Sequence, residues 1–323
     1  MEINDKLNVE IEAFKRGIEK RNPKEFTKLN TGIGKDSIEA AVFLAYNDAK
    51  RTMTNINEGD NEKKKKEAIK NIETELSNYF TSKLAHEFDE KAFDEEHKKL
   101  CKKWWEKFNS GNLGTYGKAQ KIINMSFKYL YCCNDASNYK KHFEYCHMPL
   151  DSFTLEWFKR KFKEDVNNIK WYKNEEKYNG KPRIKSENMA SWSALEYDGE
   201  GKPKEKTEND LDDDTYGYYP ISGKKWYYSY RFYLENIRNY IERHNYPLSP
   251  LELEFIVWPE IQKEQAAEGF LSVLKDDLFI HGRLLEEDPL SKKSKNTIKQ
   301  MTLDEKYRCI SKLLSEKYLI ERD

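Results

Sequence analysis

The chain reads as a mainly α-helical globular protein, with a polar, partly β or loop insert around residues 163–222. Three observations carry that expectation. Apolar residues recur at three- and four-residue spacing along most of the chain, the period of an amphipathic helix. Helix start signals stand where such stripes begin: Ser249 before Pro250, and Thr302 three residues before Glu305. Between 163 and 222 the stripes stop, and turn formers, charges and short aromatic runs such as Tyr216–Tyr219 replace them.

In chain order, Ile11, Phe14 and Ile18 form one apolar face, and Ile38, Ala41, Val42, Leu44 and Ala45 another. Gly32-Ile33-Gly34 lies between them. Such a turn before a helix can cradle a phosphate, but its plainer reading is a helix–helix connection. Glu58–Lys66 is a solvated charge run. Ile69, Ile72, Leu76, Tyr79 and Phe80 follow at helical spacing, then Phe93, His97, Leu100, Trp104 and Phe108, with His97 read as a hydrogen-bonded core histidine. Lys202–Asp214 is a solvated loop or insert. Helices resume at about Lys224, with Trp226, Tyr230, Tyr233, Ile237 and Ile241 on one face. The last helix carries Leu303, Tyr307, Ile310 and Leu314. This gives three expected regions: a helical domain over 1–160, an insert or small α+β region over 161–222, and C-terminal helices over 223–323 packed on the first.

Composition excludes several classes. Hydrophobic residues are 37% of the chain and charged ones 35%, so loops and surface are extensive, while aromatics at 14% supply large buried areas. Lys plus Arg equals Asp plus Glu at 57 each, so no global basic field exists and any nucleic-acid contact must be local. No stretch reaches the roughly 20 apolar residues of a membrane span, and the N-terminus lacks a signal-peptide core. Five cysteines, two of them adjacent, fit reduced thiols in a cytoplasmic protein. The Lys, Asn and Tyr bias points to a bacterial or phage origin. No Walker loop, kinase set, Gly-x-Ser-x-Gly elbow or His-Glu-x-x-His appears.

One stretch, Gly114–Phe158, brings spacing, charge and residue type together. A helix beginning near Thr115 places Ala119, Ile123, Phe127 and Leu130 in one sector. Lys118, Lys121 and Lys128 fall opposite, with Asn124 beside them. Residues 98–128 hold eight lysines against one glutamate, a local excess of +7. Lys102, Lys103, Trp104 and Trp105 belong to that excess, and lysines mixed with aromatics suit a phosphate backbone and stacked bases. A solvated lysine face beside core tryptophans is the plainer alternative. Lys121 lies in the first two turns of its helix, where the macrodipole disfavours a further positive charge. A lysine so placed can act as a Schiff-base nucleophile. Asp151 follows Pro149-Leu150 and should cap the next helix. Cys132, Cys133, His142, Cys146 and His147 are metal-ligand types, but without a paired Cys-x-x-Cys spacing, so no metal and no cofactor is expected. His147 instead suits a phosphate contact or a cleft wall.

Gln120-Lys121 at a helix start, with Met148-Pro149-Leu150-Asp151 thirty residues on, resembles the catalytic core of the archaeal-type 8-oxoguanine DNA glycosylase/lyases of the helix-hairpin-helix superfamily. The likeness spans residues 118–158. It implies that Lys121 attacks the sugar C1′ of a flipped-out nucleotide and that Asp151 stabilises the developing positive charge and assists proton transfer. Lys118, Gln120, Asn124, Lys128, Lys102, Lys103, Trp104, Trp105 and His147 would then line the DNA contact. The chain departs from the family in having no Gly-x-Gly hairpin just before Pro149. Two other readings stand beside this one: a non-enzymatic protein-binding or inhibitor protein in phage–host conflict, and a nucleic-acid-binding module without chemistry. Oligomeric state is left open.

Overall fold

The computed structural model describes residues 2–81, 89–108, 113–164, 189–197, 218–221, 225–280 and 295–313. The fold is mainly α. Twelve α-helices occur among the described residues: α1 (Ile3–Arg21), α2 (Pro23–Leu29), α3 (Lys35–Ala49), α4 (Asp60–Thr81), α5 (Glu90–Lys107), α6 (Tyr116–Leu130), α7 (Lys140–Phe143), α8 (Ser152–Glu164), α9 (Tyr230–Arg243), α10 (Pro250–Ile280), α11 (Lys295–Gln300) and α12 (Leu303–Leu313). No described helix is long and apolar enough to cross a membrane. Two compact units divide the chain, Met1–Val257 and Trp258–Asp323. Residues 225–257, expected with the C-terminal helices over 223–323, therefore fold with the first unit. The insert expected over 163–222 falls mostly outside the described residues, as do Leu314 and the side chain of Trp105.

In the first unit, α6 is the axis. All fifteen of its residues are buried. α3 packs against it through small residues, with Ala40, Ala41, Ala45 and Ala49 at 0–1% exposure letting the two backbones approach. α5 covers a second side through Phe93, His97, Cys101 and Trp104. Phe14 of α1, which is half-buried, meets Tyr129 of α6 and Phe255 of α10 ring to ring. The Gly32–Gly34 turn is a helix connection, and a carboxylate of the chain fills it. Gly32 has φ +95°, a Cβ there would meet Asp135 Oδ2 at 2.8 Å, and the Ile33 N–H donates to Asp135 Oδ1 at 2.8 Å.

Local start signals are realised as read. The Ser249 N–H donates to Glu252 Oε2 at 2.7 Å and the Glu252 N–H to Ser249 Oγ at 3.2 Å, a capping box with Pro250 at the first helical position. Thr302 and Glu305 form the same box at α12 in the second unit. Two expectations need correction. α9 starts at Tyr230, not near Lys224, because Lys225–Tyr228 is a β-strand paired antiparallel with Tyr218–Ile221. Aromatics favour that pleated pairing, and Ser229 Oγ, accepting from the Phe232 N–H, fixes the later start. On α12, Tyr307 is 46% exposed, and the buried positions are Lys306 and Cys309. Lys306 is accommodated because its ammonium donates to Glu268 of α10 at 2.8 Å.

Candidate active site

Thr115 opens α6. Its hydroxyl accepts from the Lys118 N–H at 3.3 Å and donates to Ser193 O at 2.6 Å. The turn Trp192–Ala194 crosses this end so closely that a Cβ on Gly117 would sit 1.9 Å from Trp192 O. The Gly117 N–H donates to Leu195 O at 2.9 Å. Glycine is required there by space, not by backbone angle.

Gln120 fixes the second half of the site. Its amide donates to Leu150 O at 2.8 Å and accepts from the Leu150 N–H at 3.1 Å. This two-point clamp lays Met148–Asp151 along α6. Asp151 then uses its two oxygens differently. Oδ1 accepts from the N–H groups of Phe153 and Thr154 at 2.9 and 3.1 Å, capping α8 as the sequence indicated. Oδ2 accepts from Lys121 Nζ at 2.6 Å. The residues suggested by the thirty-residue spacing thus meet directly. They do so under cover, with Lys121 5% and Asp151 8% exposed. Neither cavity described below is lined by them.

The lysine row of α6 is where the structure most changes the sequence reading. Lys118, Lys121 and Lys128 do not form a solvent face; their exposures are 4%, 5% and 2%. Elements distant in sequence supply carboxylates to Lys121 and Lys128. Lys128 makes an ion pair with Glu254 of α10, itself 0% exposed, and its ammonium lies 4.3 Å and 4.7 Å from the ring centres of Phe14 and Phe255. Burial raises the Glu254 pKa, with Lys128 acting the other way and Lys121 and Asp151 close enough to contribute. Among the described residues Glu254 Oε1 has no hydrogen-bond partner. Glu254 was missed in the sequence, although a lone glutamate inside Leu253-Glu254-Phe255-Ile256-Val257 is the available signal.

Asn124, Gln120 and His147, suggested as DNA contacts, belong to a second buried network. His97 Nε2 donates to Asn124 Oδ1 at 2.7 Å, and Asn124 Nδ2 donates to Gln120 Oε1 and to the Tyr230 hydroxyl, each at 3.0 Å. Tyr230 donates to His147 Nδ1 at 2.9 Å, and His147 Nε2 donates to Asp94 Oδ1 at 2.7 Å. Arg238 closes the chain with two 2.8 Å bonds to the Asp94 carboxylate. Burial pushes the His147 pKa down to about 4 against the pull of Asp94, so the ring is neutral, and the ionised Asp94 at 2.7 Å places its one proton on Nε2. Burial also holds His97 well below its ordinary range. Asp94 stays well below the usual carboxylate range: burial would raise it, but Arg238 and His147 outweigh that. The chain runs between two cavities. One, of about 630 Å³, has Asp94 and Arg238 in its wall; the other, of about 250 Å³, is mostly apolar and has His97 in its wall.

The surface lysines of α5 lie as in the plainer reading, on an exposed face beside the core Trp104, and not as an unpaired basic patch. Lys103 bonds Glu75 at 2.5 Å, Lys107 bonds Glu67 at 2.8 Å, Lys99 bonds Glu96 at 2.6 Å, and Lys102 lies 3.8 Å from Glu106. Most of these acids lie outside the 98–128 window, so the excess counted along the chain is largely neutralised in space. Trp104 is 1% exposed and donates to Leu113 O. It packs the core and offers no stacking face. The Cys/His loop is likewise core. All five cysteines are buried and unbridged, and burial pushes the Cys132 and Cys133 thiols up to about 12. His142 stacks on Phe80. Among the described residues no three His, Cys, Asp or Glu side chains come together as a metal-binding group. No protein-family model, no curated protein and no solved structure matches this chain.

Proposed function

We propose that this protein is a DNA-interacting, base-excision glycosylase/lyase-like enzyme of the cytoplasm, with Lys121 as nucleophile and Asp151 as its carboxylate partner. The contact that supports the reading is Lys121 Nζ to Asp151 Oδ2 at 2.6 Å, made across thirty residues by the Gln120 clamp. Asp151 takes a proton from the Lys121 ammonium, and the free amine attacks C1′ of the target nucleoside. The C1′–N bond breaks, and the base leaves with the proton that Asp151 held. The ammonium now on C1′ passes a proton to O4′ as the ring opens to a protonated imine. Loss of a C2′ proton expels the 3′ phosphate by β-elimination, and water returns Lys121. Because the pair is covered at rest, reaction requires Met148–Asp151 to part from α6. Strand scission of oligonucleotides carrying an abasic site or 8-oxoguanine tests the reading. The wild type should cut, Lys121→Gln should not, and Asp151→Asn should lose about 100-fold or more. A wild type that cuts none of these substrates ends it.

A second reading is favoured by the burial of the pair and the neutralised lysines of α5. Here the protein is a non-catalytic binding or inhibitor protein, and Lys121–Asp151 only locks α8 onto α6. Pull-down with the full chain distinguishes them. A stable protein complex that survives Lys121→Met with Asp151→Leu, without DNA scission, supports the second reading.

A further inference from the structure

The cavity of about 250 Å³ lies in the first unit, among α4, α5 and α6. Its deep wall is apolar: Leu76 of α4, Phe93 of α5, and Ile123 and Phe127 of α6 are each 0–4% exposed. Tyr79, Phe93 and Phe127 meet in that wall edge to face or tilted, with ring centres 5.5–5.9 Å apart. Close-packed interiors hold few voids larger than a water molecule, so this space is more than loose packing. It exceeds the roughly 150 Å³ of an apolar cavity that takes up benzene.

The polar groups of the wall are engaged. His97 has Nδ1 3.0 Å from the Tyr116 hydroxyl and Nε2 2.7 Å from Asn124 Oδ1, and the Tyr79 hydroxyl donates to His142 O at 2.5 Å. At the solvent end, Lys103 of α5 joins Glu75 of α4 at 2.5 Å and Lys99 joins Glu96 at 2.6 Å, through side chains 40–63% exposed. These four charges of the lining therefore neutralise one another. Asn78, also in the lining, makes no side-chain hydrogen bond among the described residues. Ile123 and Phe127 fall on the side of α6 roughly opposite Lys121, so the cavity is separate from the Lys121–Asp151 pair and does not depend on the lyase reading.

We propose that this cavity binds a small, uncharged aromatic molecule of about two fused rings with one hydrogen-bonding group. The rings lie against Phe93, Phe127 and Tyr79, and the polar group meets the Asn78 amide. Edge-to-face contact favours an aromatic ring over an aliphatic one of the same size. An ionised ligand would lose its hydration and find only charges that are already paired.

Titration calorimetry on the full chain tests this, with β-naphthol as the probe. β-Naphthol should bind once per chain and raise the thermal midpoint. β-Naphthoate, the same rings with a carboxylate, should bind about tenfold more weakly or worse. β-Decalol, which has no π face, should be about threefold weaker. Leu100→Trp, which fills the space from α5, should abolish β-naphthol binding while its own midpoint stays at or above that of the wild type. Leu100→Phe, a smaller filler, should weaken binding, and it carries the test if the tryptophan does not fold. No saturable binding, several equivalents per chain, naphthoate binding as tightly as naphthol, decalol binding as tightly as naphthol, or an affinity unchanged in a folded filling variant overturns the site. Self-association of a wild type that ignores the probe, lost in Leu100→Phe, would give the cavity to a side chain of a second copy and also overturn it.

Discussion

The lysines of α5 and of α6 share a residue type and little else. On α5, Lys99, Lys103 and Lys107 have side chains 63%, 50% and 37% exposed and meet glutamates at the surface. On α6, Lys121 and Lys128 have side chains 6% and 3% exposed, and each meets one carboxylate brought in from α8 or α10. An exposed pair gains little Coulomb energy in water and contributes at most about 1 kcal/mol. A buried pair also carries a large desolvation cost, and removing one partner strands the other charge. Periodicity reports which residues share a helix side; what covers that side is decided by segments far away in sequence.

The largest break in this comparison should come from stranding a buried charge. Glu254→Ala or Lys128→Ala should cost about 3–5 kcal/mol in urea unfolding, while Lys128→Met combined with Glu254→Leu should be close to neutral. A double variant as unstable as either single one would contradict the assignment.

Acid should be next in size. His147 titrates near 4 in the fold and about 6.5 in the unfolded chain, so between those values only the unfolded chain takes up the proton. Stability is then complete above about pH 6.5 and falls as pH drops towards 4, by on the order of 3 kcal/mol. His97, also held low by burial, acts in the same direction. A urea midpoint that stays flat from pH 7 to 4.5 would contradict a neutral buried His147.

Gly117→Ala follows. Its methyl would collide with the carbonyl of Trp192, a backbone atom that cannot rotate away, so about 1–3 kcal/mol should be lost. Hydrogen exchange at Gly117 and Leu195 should rise in this variant. The smallest effect sharpens the contrast from the other side. Lys103→Ala and Lys107→Ala should each change stability by less than about 1 kcal/mol. A loss above 2 kcal/mol in either would mean that α5 and α6 differ less than their exposures indicate.

What the sequence made legible was local. Ser249-Pro250, Thr302 with Glu305, and Asp151 before Ser152-Phe153-Thr154 mark helix starts through atoms within three residues, and all three appear as read. His97 as a hydrogen-bonded core histidine depended on one apolar stripe and also holds. The pairing of Lys121 with Asp151 was suggested by spacing, but the spacing carried no word of the Gln120 clamp that produces it. At the candidate site the failures are long-range. The α6 lysines looked solvated because Glu254 lies 126 residues beyond Lys128. The α5 lysines looked like a basic patch because Glu67 and Glu75 come from another helix. Asp94, His147 and Arg238 sit in three separate segments, with no spacing rule to join them.

The central claim is that Lys121 is a reacting lysine held at rest by Asp151. Borohydride reduction in the presence of abasic-site DNA, followed by peptide mapping of the cross-link, tests it most directly. The account predicts one stable adduct, carried by Lys121 and missing in Lys121→Gln. No adduct, or an adduct on another lysine that persists in Lys121→Gln, would contradict it and leave the pair as a lock between α6 and α8.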